Sequence, residues 1–576
     1  MVRGGYLLAK ALHDKNIKNV FTLAGGFCNP ALEGFKDHQM PVINCPHEQI
    51  AGHLADGHTR ITREPSVCLV GPEGFANAIP AMMEAWGERS PVIFITGSST
   101  LKRKGSGGFK EIDDVSMAEP ITKYSFCVTD GSRIKEFVDR AYRIAVSGYP
   151  GPVHLSIPVD IMFSSFPENV GDEERPFLKH TNYKPKAWPE PVILNNCIDI
   201  ISKSKRPIII AGHGIWWSKS ETELAKFAKE LKIPIFNVPY HQKVLGEETK
   251  EMMGLADIHQ YQPSKWAFNN CDCVIMIGAR LDNQMNFGNP PLFPQSLTLI
   301  CINGSDEEIQ LNRSADFLLL SDPAAFFRET LANNKIYQNN FESDWLDKNL
   351  KLRLDWVNKT ITDLKTNTST PSWKEGVIHP LQLAIEVMET MKDGNHLVFD
   401  GGNTHFWSEI ASNLVAQNGK NLSHIMHPGS FSLLGVGVSL AVSLKRTNPK
   451  DTVVLISGDG AFLSGGLSIE VAFQEKLPII VVIDNNGGLD CISQQQERMF
   501  NSGSHFATDF RDIPFHEMFI GLGGYGELVT DKSQIKSALN RAISSGKTAC
   551  INVKTRGQIS PIVAATSDKR DKSSIE

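Results

Sequence analysis

Residues 452–496 read TVVLISGDGAFLSGGLSIEVAFQEKLPIIVVIDNNGGLDCISQQQ. The apolar run Val453-Val454-Leu455-Ile456 stops at Gly458-Asp459-Gly460. An amphipathic segment follows, with Leu467, Val471 and Phe473 as its apolar positions, and a second apolar run, 479–483, stops at Asp484-Asn485-Asn486-Gly487-Gly488. The pattern predicts strand, loop, helix, strand, loop. Parallel neighbouring strands place both loops at the same carboxyl-end edge of a sheet. Asp459 and Asn486 then meet in space although 27 residues separate them. A carboxylate and an amide carbonyl are hard oxygen donors that suit Mg2+, with phosphate oxygens and water completing its octahedron. Gly458 and Gly460 allow close approach of backbone to phosphate, and the helix that follows offers its N-terminus. The stretch therefore reads as a metal–diphosphate clamp. The same residues would also make two ordinary strand-end turns.

Outward from this stretch the style repeats. Val20-Phe21-Thr22-Leu23, Val67-Cys68-Leu69-Val70, Val92-Ile93-Phe94-Ile95-Thr96 and Val153-His154-Leu155-Ser156-Ile157-Pro158 are predicted strands, and a helix is predicted over 6–13. Pro207-Ile208-Ile209-Ile210 and Cys273-Val274-Ile275-Met276-Ile277 follow in the middle of the chain, and Leu397-Val398-Phe399-Asp400 opens the last third. Strands alternating with helices indicate an α/β protein of doubly wound parallel sheets. The boundaries fall at 1–165, 191–335 and 379–555, with a tail over 556–576 and linkers over 167–191 and 333–374, the second holding a helix near 345–357. Gly401-Gly402-Asn403-Thr404-His405 is a turn suited to a diphosphate, or a strand-to-helix turn with Thr404 as its cap. Gly212-His213-Gly214 lacks the third glycine and the ribose acid of a nicotinamide site.

Composition excludes several classes. A 576-residue chain is too long for one core. With 41% hydrophobic and 21% charged residues it reads as soluble and globular. A net charge of −6 and a pI near 6.3 do not suggest nucleic-acid binding. No apolar run approaches the ~18 residues of a membrane helix, and the N-terminus lacks a signal-peptide core. Ten scattered cysteines fit reduced thiols in the cytoplasm. Cys271 and Cys273 read as side chains on opposite faces of a strand, not as metal ligands.

The Gly458-Asp459-Gly460 and Asn485-Asn486 pair resembles the signature of thiamine-diphosphate enzymes. A second match lies far away, in Pro46-His47-Glu48-Gln49 before Ala51-Gly52-His53-Leu54-Ala55-Asp56-Gly57. The resemblance covers nearly the whole chain and implies pyrimidine-binding, central and diphosphate-binding domains in that order. It implies thiamine diphosphate and Mg2+ as cofactors, with the metal on Asp459, Asn486 and the Gly488 carbonyl. It implies further cofactor contacts at Gly25, Asn77, Gly402, Asn403, Thr404, His405, Gly458, Gly460 and Ala461. Glu48 would hydrogen-bond the pyrimidine ring, and Leu434, in GSFSLLGVG, would wedge beneath the bent cofactor. Phe109-Lys110-Glu111 stands where relatives carry Phe-Gln-Glu, so Phe109, Lys110 and His47 are candidate substrate-side residues. The resemblance also implies a homodimer or homotetramer whose active sites lie at the subunit interface.

Within that family, Gly212-His213-Gly214-Ile215-Trp216-Trp217, Phe287-Gly288-Asn289-Pro290-Pro291-Leu292-Phe293 and Ile559-Ser560-Pro561-Ile562-Val563 look like bacterial 2-hydroxyacyl-CoA lyases. Such a lyase cleaves a 2-hydroxyacyl-CoA to formyl-CoA and an aldehyde or ketone, or condenses them. The alternative is acetolactate synthase or another 2-oxoacid decarboxylase or carboligase, with oxalyl-CoA decarboxylase as a third member of the group. The tail is predicted to be a frayed end, or a lid that orders over a CoA ligand through Ile562-Val563-Ala564-Ala565, Lys569, Arg570 and Lys572.

Overall fold

The computed structural model describes residues 1–170, 186–238, 249–259, 261–306, 312–366, 378–500, 506–565 and 567. Parts of both predicted linkers, and Lys569, Arg570 and Lys572 of the tail, lie outside the described residues.

Long β-branched runs such as Val453–Gly458 and Ile480–Asn485 have every residue buried, so they suit only a sheet covered on both faces. Three six-stranded sheets result, and neighbouring strands run parallel in each. The first has the spatial order Val42–Asn44, Val20–Thr22, Val67–Val70, Ile93–Ser98, Val153–Pro158, Ser125–Cys127. The third runs His424–Met426, His396–Asp400, Val453–Gly458, Ile480–Asn485, Ala549–Lys554, Tyr525–Val529. Numbered along the chain, both have the order 2-1-3-4-6-5, whereas the central sheet has 3-2-1-4-5-6. In each outer sheet the winding reverses between strands 1 and 3, where ligand crevices form at carboxyl ends. In the third sheet those ends carry Gly401 and Gly458; in the first they carry the turns leading to Gly25 and Gly71.

The central sheet shows the pleat directly. Ile209, Ala211, Ile275 and Ile277 face one apolar cluster, and Ile208, Ile210, Val274 and Met276 face another. Cys271 ends the helix Gln262–Asn270 and joins the second cluster, while Cys273 opens its strand and joins the first. The two thiols are therefore separated by the sheet, but only Cys273 belongs to the strand.

The chain packs as two compact units. One holds the first sheet together with Pro428–Pro449 and Gly465–Glu475; the other holds the second and third sheets. The two inserted segments fall inside the 379–555 region yet pack with the first sheet. The helix Gly437–Thr447 lies on the helix Glu48–Thr62, where Ser443 Oγ donates to the Leu54 carbonyl at 3.1 Å. A Cβ on Gly57 would come within 2.8 Å of that hydroxyl, so glycine permits the approach.

The amphipathic segment after Asp459 is not one helix. Asp459–Gly465 and Ile469–Gln474 are separated by the 3-10 turn Gly466–Ser468. The turn breaks the 3.6-residue phase. Val471 is consequently buried, Phe473 half-buried, and Leu467 is 76% exposed instead of in the core. Thr404 is not a cap either: the helix Asn403–Gln417 begins before it, with Gly402 at the N-cap position. Among the described residues no helix is long and apolar enough to cross a membrane.

Candidate active site

In the first unit, the extended backbone of His47 (φ −156°, ψ 148°) precedes the helix Glu48–Thr62, and its Nδ1 accepts from Gln49 N at 3.1 Å. His47 is thus a helix cap. That cap places Glu48 at the first helical position, with only 8% of its surface exposed. Asn77 Nδ2 donates to Glu48 Oε2 at 3.0 Å. Gly74, one turn earlier on the helix Pro72–Gly87, makes room for this carboxyl. An ideal Cβ there would sit 2.6 Å from Glu48 Cγ and 2.8 Å from Oε1. Gly25 lies at the neighbouring strand end, where its carbonyl accepts from Cys28 N at 2.9 Å.

The loop that carries Phe109 and Lys110 leans on the same helix. Lys110, in the left-handed region at φ 60°, donates from Nζ to Glu73 and lies over the rings of Phe27 and Phe109, 6.0 and 5.3 Å from their centroids. Phe109 itself is 77% exposed. Glu111 accepts from Gly105 N and, at 2.8 Å, from Gly108 N, and these backbone donors hold its carboxyl below the usual range.

Leu434 is 39% exposed, on a segment anchored to the far end of that helix. Ser430 N donates to Glu88 Oε1 at 2.8 Å, and Gly429 (φ +85°) passes so close that a Cβ would overlap the Glu88 carboxyl. Arg60 meets Glu88 at 3.5 Å and Asp56 at 2.9 Å, all three buried. Sequence reading missed this network, although the i, i+4 spacing of Asp56 and Arg60 in ADGHTR was its visible trace.

In the second unit, Asp459 bridges the two strand-end loops. Its Oδ2 accepts from Gly487 N at 2.7 Å and Gly488 N at 3.2 Å, and its Oδ1 from Gly460 N at 2.7 Å. Asn486 Oδ1 accepts from Gly488 N at 3.2 Å. The two strand-end loops therefore do meet. Burial pushes the Asp459 carboxyl up to about 6 against the opposing pull of those N–H donors. A cation beside it would offset that cost.

The other members of the loop cluster tightly. A Cβ on Gly458 would be 3.0 Å from Thr404 Oγ1, one on Gly460 2.8 Å from Leu489 Cδ2, and one on Gly402 2.9 Å from Cys491 Cβ. Ala461 is buried beside them. Thr404 Oγ1 donates to Asp484 Oδ2 at 2.8 Å, and Thr555 donates to the other oxygen of that buried carboxyl. Asn403 Nδ2 donates to Asp490 Oδ2 at 3.0 Å and Gln494 Oε1 at 3.3 Å, while its Oδ1 accepts from Ser560 N at 3.1 Å. Asn485, by contrast, donates to Asn552 Oδ1 at 2.9 Å. Ser560 was quoted from the sequence only within Ile559-Ser560-Pro561-Ile562-Val563 and Asp484 only as the end of a strand; Asp490, Gln494 and Thr555 were not singled out, although Asp484 and Asp490 flank the Asn-Asn-Gly-Gly turn. His405 follows Asn403 and Thr404 on the same helix. It is buried against Phe399 and His427, and burial lowers it to about 3.

The tail is built in as far as Ala565. Trp407 Nε1 donates to the Gln558 carbonyl at 2.9 Å, and Ile562 and Val563 are buried. It is therefore not a frayed end over those residues.

Comparison with known proteins agrees with this arrangement. The thiamine pyrophosphate enzyme N-terminal TPP binding domain matches residues 2–117, the central domain 194–330 and the C-terminal TPP binding domain 400–553. The chain belongs to the thiamine pyrophosphate enzymes. It is 26% identical to a probable acetolactate synthase large subunit of Methanocaldococcus jannaschii, over 96% of this chain and 92% of that protein. It is also 26% identical to an oxalyl-CoA decarboxylase of Escherichia coli K12, over 96% and 95% of the two chains. An acetolactate synthase large subunit of Mycobacterium tuberculosis is also 26% identical, over 96% of each.

Proposed function

We propose that this enzyme makes or breaks a carbon–carbon bond next to the carbonyl of a 2-oxo acid, as a decarboxylase or carboligase of the acetolactate synthase kind. The observation that carries the reading is the Asp459 carboxylate, buried and fixed by three backbone N–H groups at the switch point of the third sheet. The donor set of Asp459, the Asn486 carbonyl and the Gly488 carbonyl suits Mg2+, and the Asn403–Thr404 helix start suits a diphosphate.

Thiamine diphosphate, when bound, supplies the electron sink that lets a bond next to a carbonyl break or form. The chain's own part is to bind, orient and move a proton. Glu48 would carry the proton on Oε1, with Asn77 holding Oε2 in place. The missing Cβ at Gly74 leaves room for that carboxyl beside the helix Pro72–Gly87. Leu434 would give the cofactor an apolar contact, with Glu88 and Arg60 fixing its segment through Ser430. Lys110, paired with Glu73, would present a cation to the substrate where relatives present an amide. The working enzyme would be a homodimer or homotetramer; exposed Phe431 and Leu434 support an interface there.

A second reading is a 2-hydroxyacyl-CoA lyase that releases formyl-CoA. Two observations favour it: the 26% identity to an oxalyl-CoA decarboxylase, and the tail, whose Ser560 N binds Asn403 beside the proposed diphosphate site. Paired assays separate the readings. Acetolactate formed from pyruvate, with no formyl-CoA from a 2-hydroxyacyl-CoA, supports the first; the reverse result replaces it with the second. Inactivity in both, together with failure to bind thiamine diphosphate, would remove the site assignment itself.

A further inference from the structure

We propose that His405, Glu409 and His427 form a binding site for one divalent transition-metal ion of the zinc class, built from residues other than the proposed magnesium ligands. His405 and Glu409 are four residues apart on the helix Asn403–Gln417 and so share one face, one turn apart. His427 follows the edge strand His424–Met426, which pairs with His396–Asp400. One donor atom from each side chain lies within 4.8 Å of the other two. All three residues are buried, at 3%, 3% and 5% exposure.

The donor set is two imidazole nitrogens and one carboxylate oxygen, a three-ligand pattern that zinc takes with a fourth position for water. Zinc bonds of about 2.0–2.1 Å in a tetrahedron put ligand atoms roughly 3.3 Å apart. Donors now within 4.8 Å of one another would therefore draw together by at most about 1.5 Å to close on an ion. The ring of Phe399 stands 5.2 Å from that of His405 and 5.5 Å from that of His427, nearly parallel to the latter, and forms an apolar wall. Nitrogen-rich sites of this kind favour zinc, cobalt and nickel over magnesium.

Neutral imidazole and carboxylate are the forms that ligate, so a divalent ion would take one donor from each of the three side chains. The competing arrangement is a metal-free chain in which the imidazoles hydrogen-bond to Glu409.

The test uses the full-length protein produced with zinc in the medium and dialysed into magnesium buffer. Elemental analysis is expected to find about one zinc per chain, and replacement by Co2+ should give the intense visible absorption of a tetrahedral site. Glu409→Gln and His427→Gln should each weaken zinc binding by about a hundredfold or more. Calorimetric binding of magnesium–thiamine diphosphate is the control that keeps this site distinct from the one at Asp459. Should either variant not fold, stripping the wild-type protein with a chelator and restoring it with zinc gives the answer through a reversible loss of melting temperature. Zinc-free protein with no cobalt spectrum and no zinc-dependent melting shift would overturn the proposal. So would zinc retained equally by Glu409→Gln.

Discussion

Gly74→Ala is the sharpest probe of how the first unit holds Glu48. Gly74 lies inside the helix Pro72–Gly87, so alanine brings a propensity gain of about 0.5–1 kcal/mol. Against that stands the overlap: the new Cβ would lie 2.6 Å from Glu48 Cγ and 2.8 Å from Oε1. Contacts that short are relieved only if Glu48 turns to another rotamer or leans away, at about 0.5–1.5 kcal/mol. The turn also breaks the 3.0 Å bond from Asn77, a further ~1 kcal/mol. The sum is a net cost of about 0.5–2 kcal/mol, so the melting temperature should fall by only a few degrees. Activity should fall far more, because a proton-carrying oxygen displaced by about an ångström costs on the order of a hundredfold in rate. The assay is kcat/KM with thiamine diphosphate affinity measured separately by calorimetry. Expected is a large loss in kcat with nearly unchanged cofactor affinity. A Gly74→Ala enzyme with wild-type kcat would refute the claim that the missing Cβ positions Glu48.

Other perturbations follow from the same geometry. Glu48→Gln keeps the bond from Asn77 but cannot pass a proton; activity should fall by orders of magnitude, with hydrogen–deuterium exchange at the reactive cofactor carbon as the direct readout. Asp459→Ala removes the proposed charged ligand and the acceptor for Gly460, Gly487 and Gly488, so magnesium-dependent cofactor retention in gel filtration should collapse. Burial lowers His53 and His154 to about 3 and His58 and His379 to about 4. In the unfolded chain each binds its proton near 6.5, so the folded state holds fewer protons between those values and stability drains away as pH falls below about 6.5. His154→Gln, at a site hydrogen-bonded to Thr96 and Ser125, should flatten the melting-temperature slope between about pH 6.5 and 4; an unchanged slope would remove His154 from the account. Deleting residues after Gln558 strips away buried Ile562 and Val563 and the Ser560 bond to Asn403, so the truncated protein should melt several degrees lower and bind thiamine diphosphate more weakly, which differential scanning calorimetry would check.

Much of the fold was legible because parallel strands buried on both faces must be written as unbroken apolar runs. Val453–Gly458, Ile480–Asn485 and Cys273–Ile277 lie within a residue or two of where the runs in the sequence end. The meeting of Asp459 with 486–488 was legible for a related reason: two such runs with a helix between them leave both loops at one edge. What the chain did not disclose locally were contacts decided by packing. Leu467 looked like a core position, but a 3-10 turn rotated it into solvent. His405 was read as part of a phosphate loop, and its nearness to Glu409 and to His427, which another strand end supplies, could not be read from sequence. Gly74 and Glu88 carry no motif, and the motif around Ser560 does not name its partner; the contacts of all three come from atoms that approach from residues 26, 342 and 157 positions away in the chain. Hydrophobic period and loop chemistry are properties of neighbours in sequence, so the sequence alone determined the parallel α/β architecture and the two loops of the clamp. Which side chain lies against which, and hence which carboxyl is held, cradled or capped, is set by close packing between distant segments, and only the tertiary structure decided it.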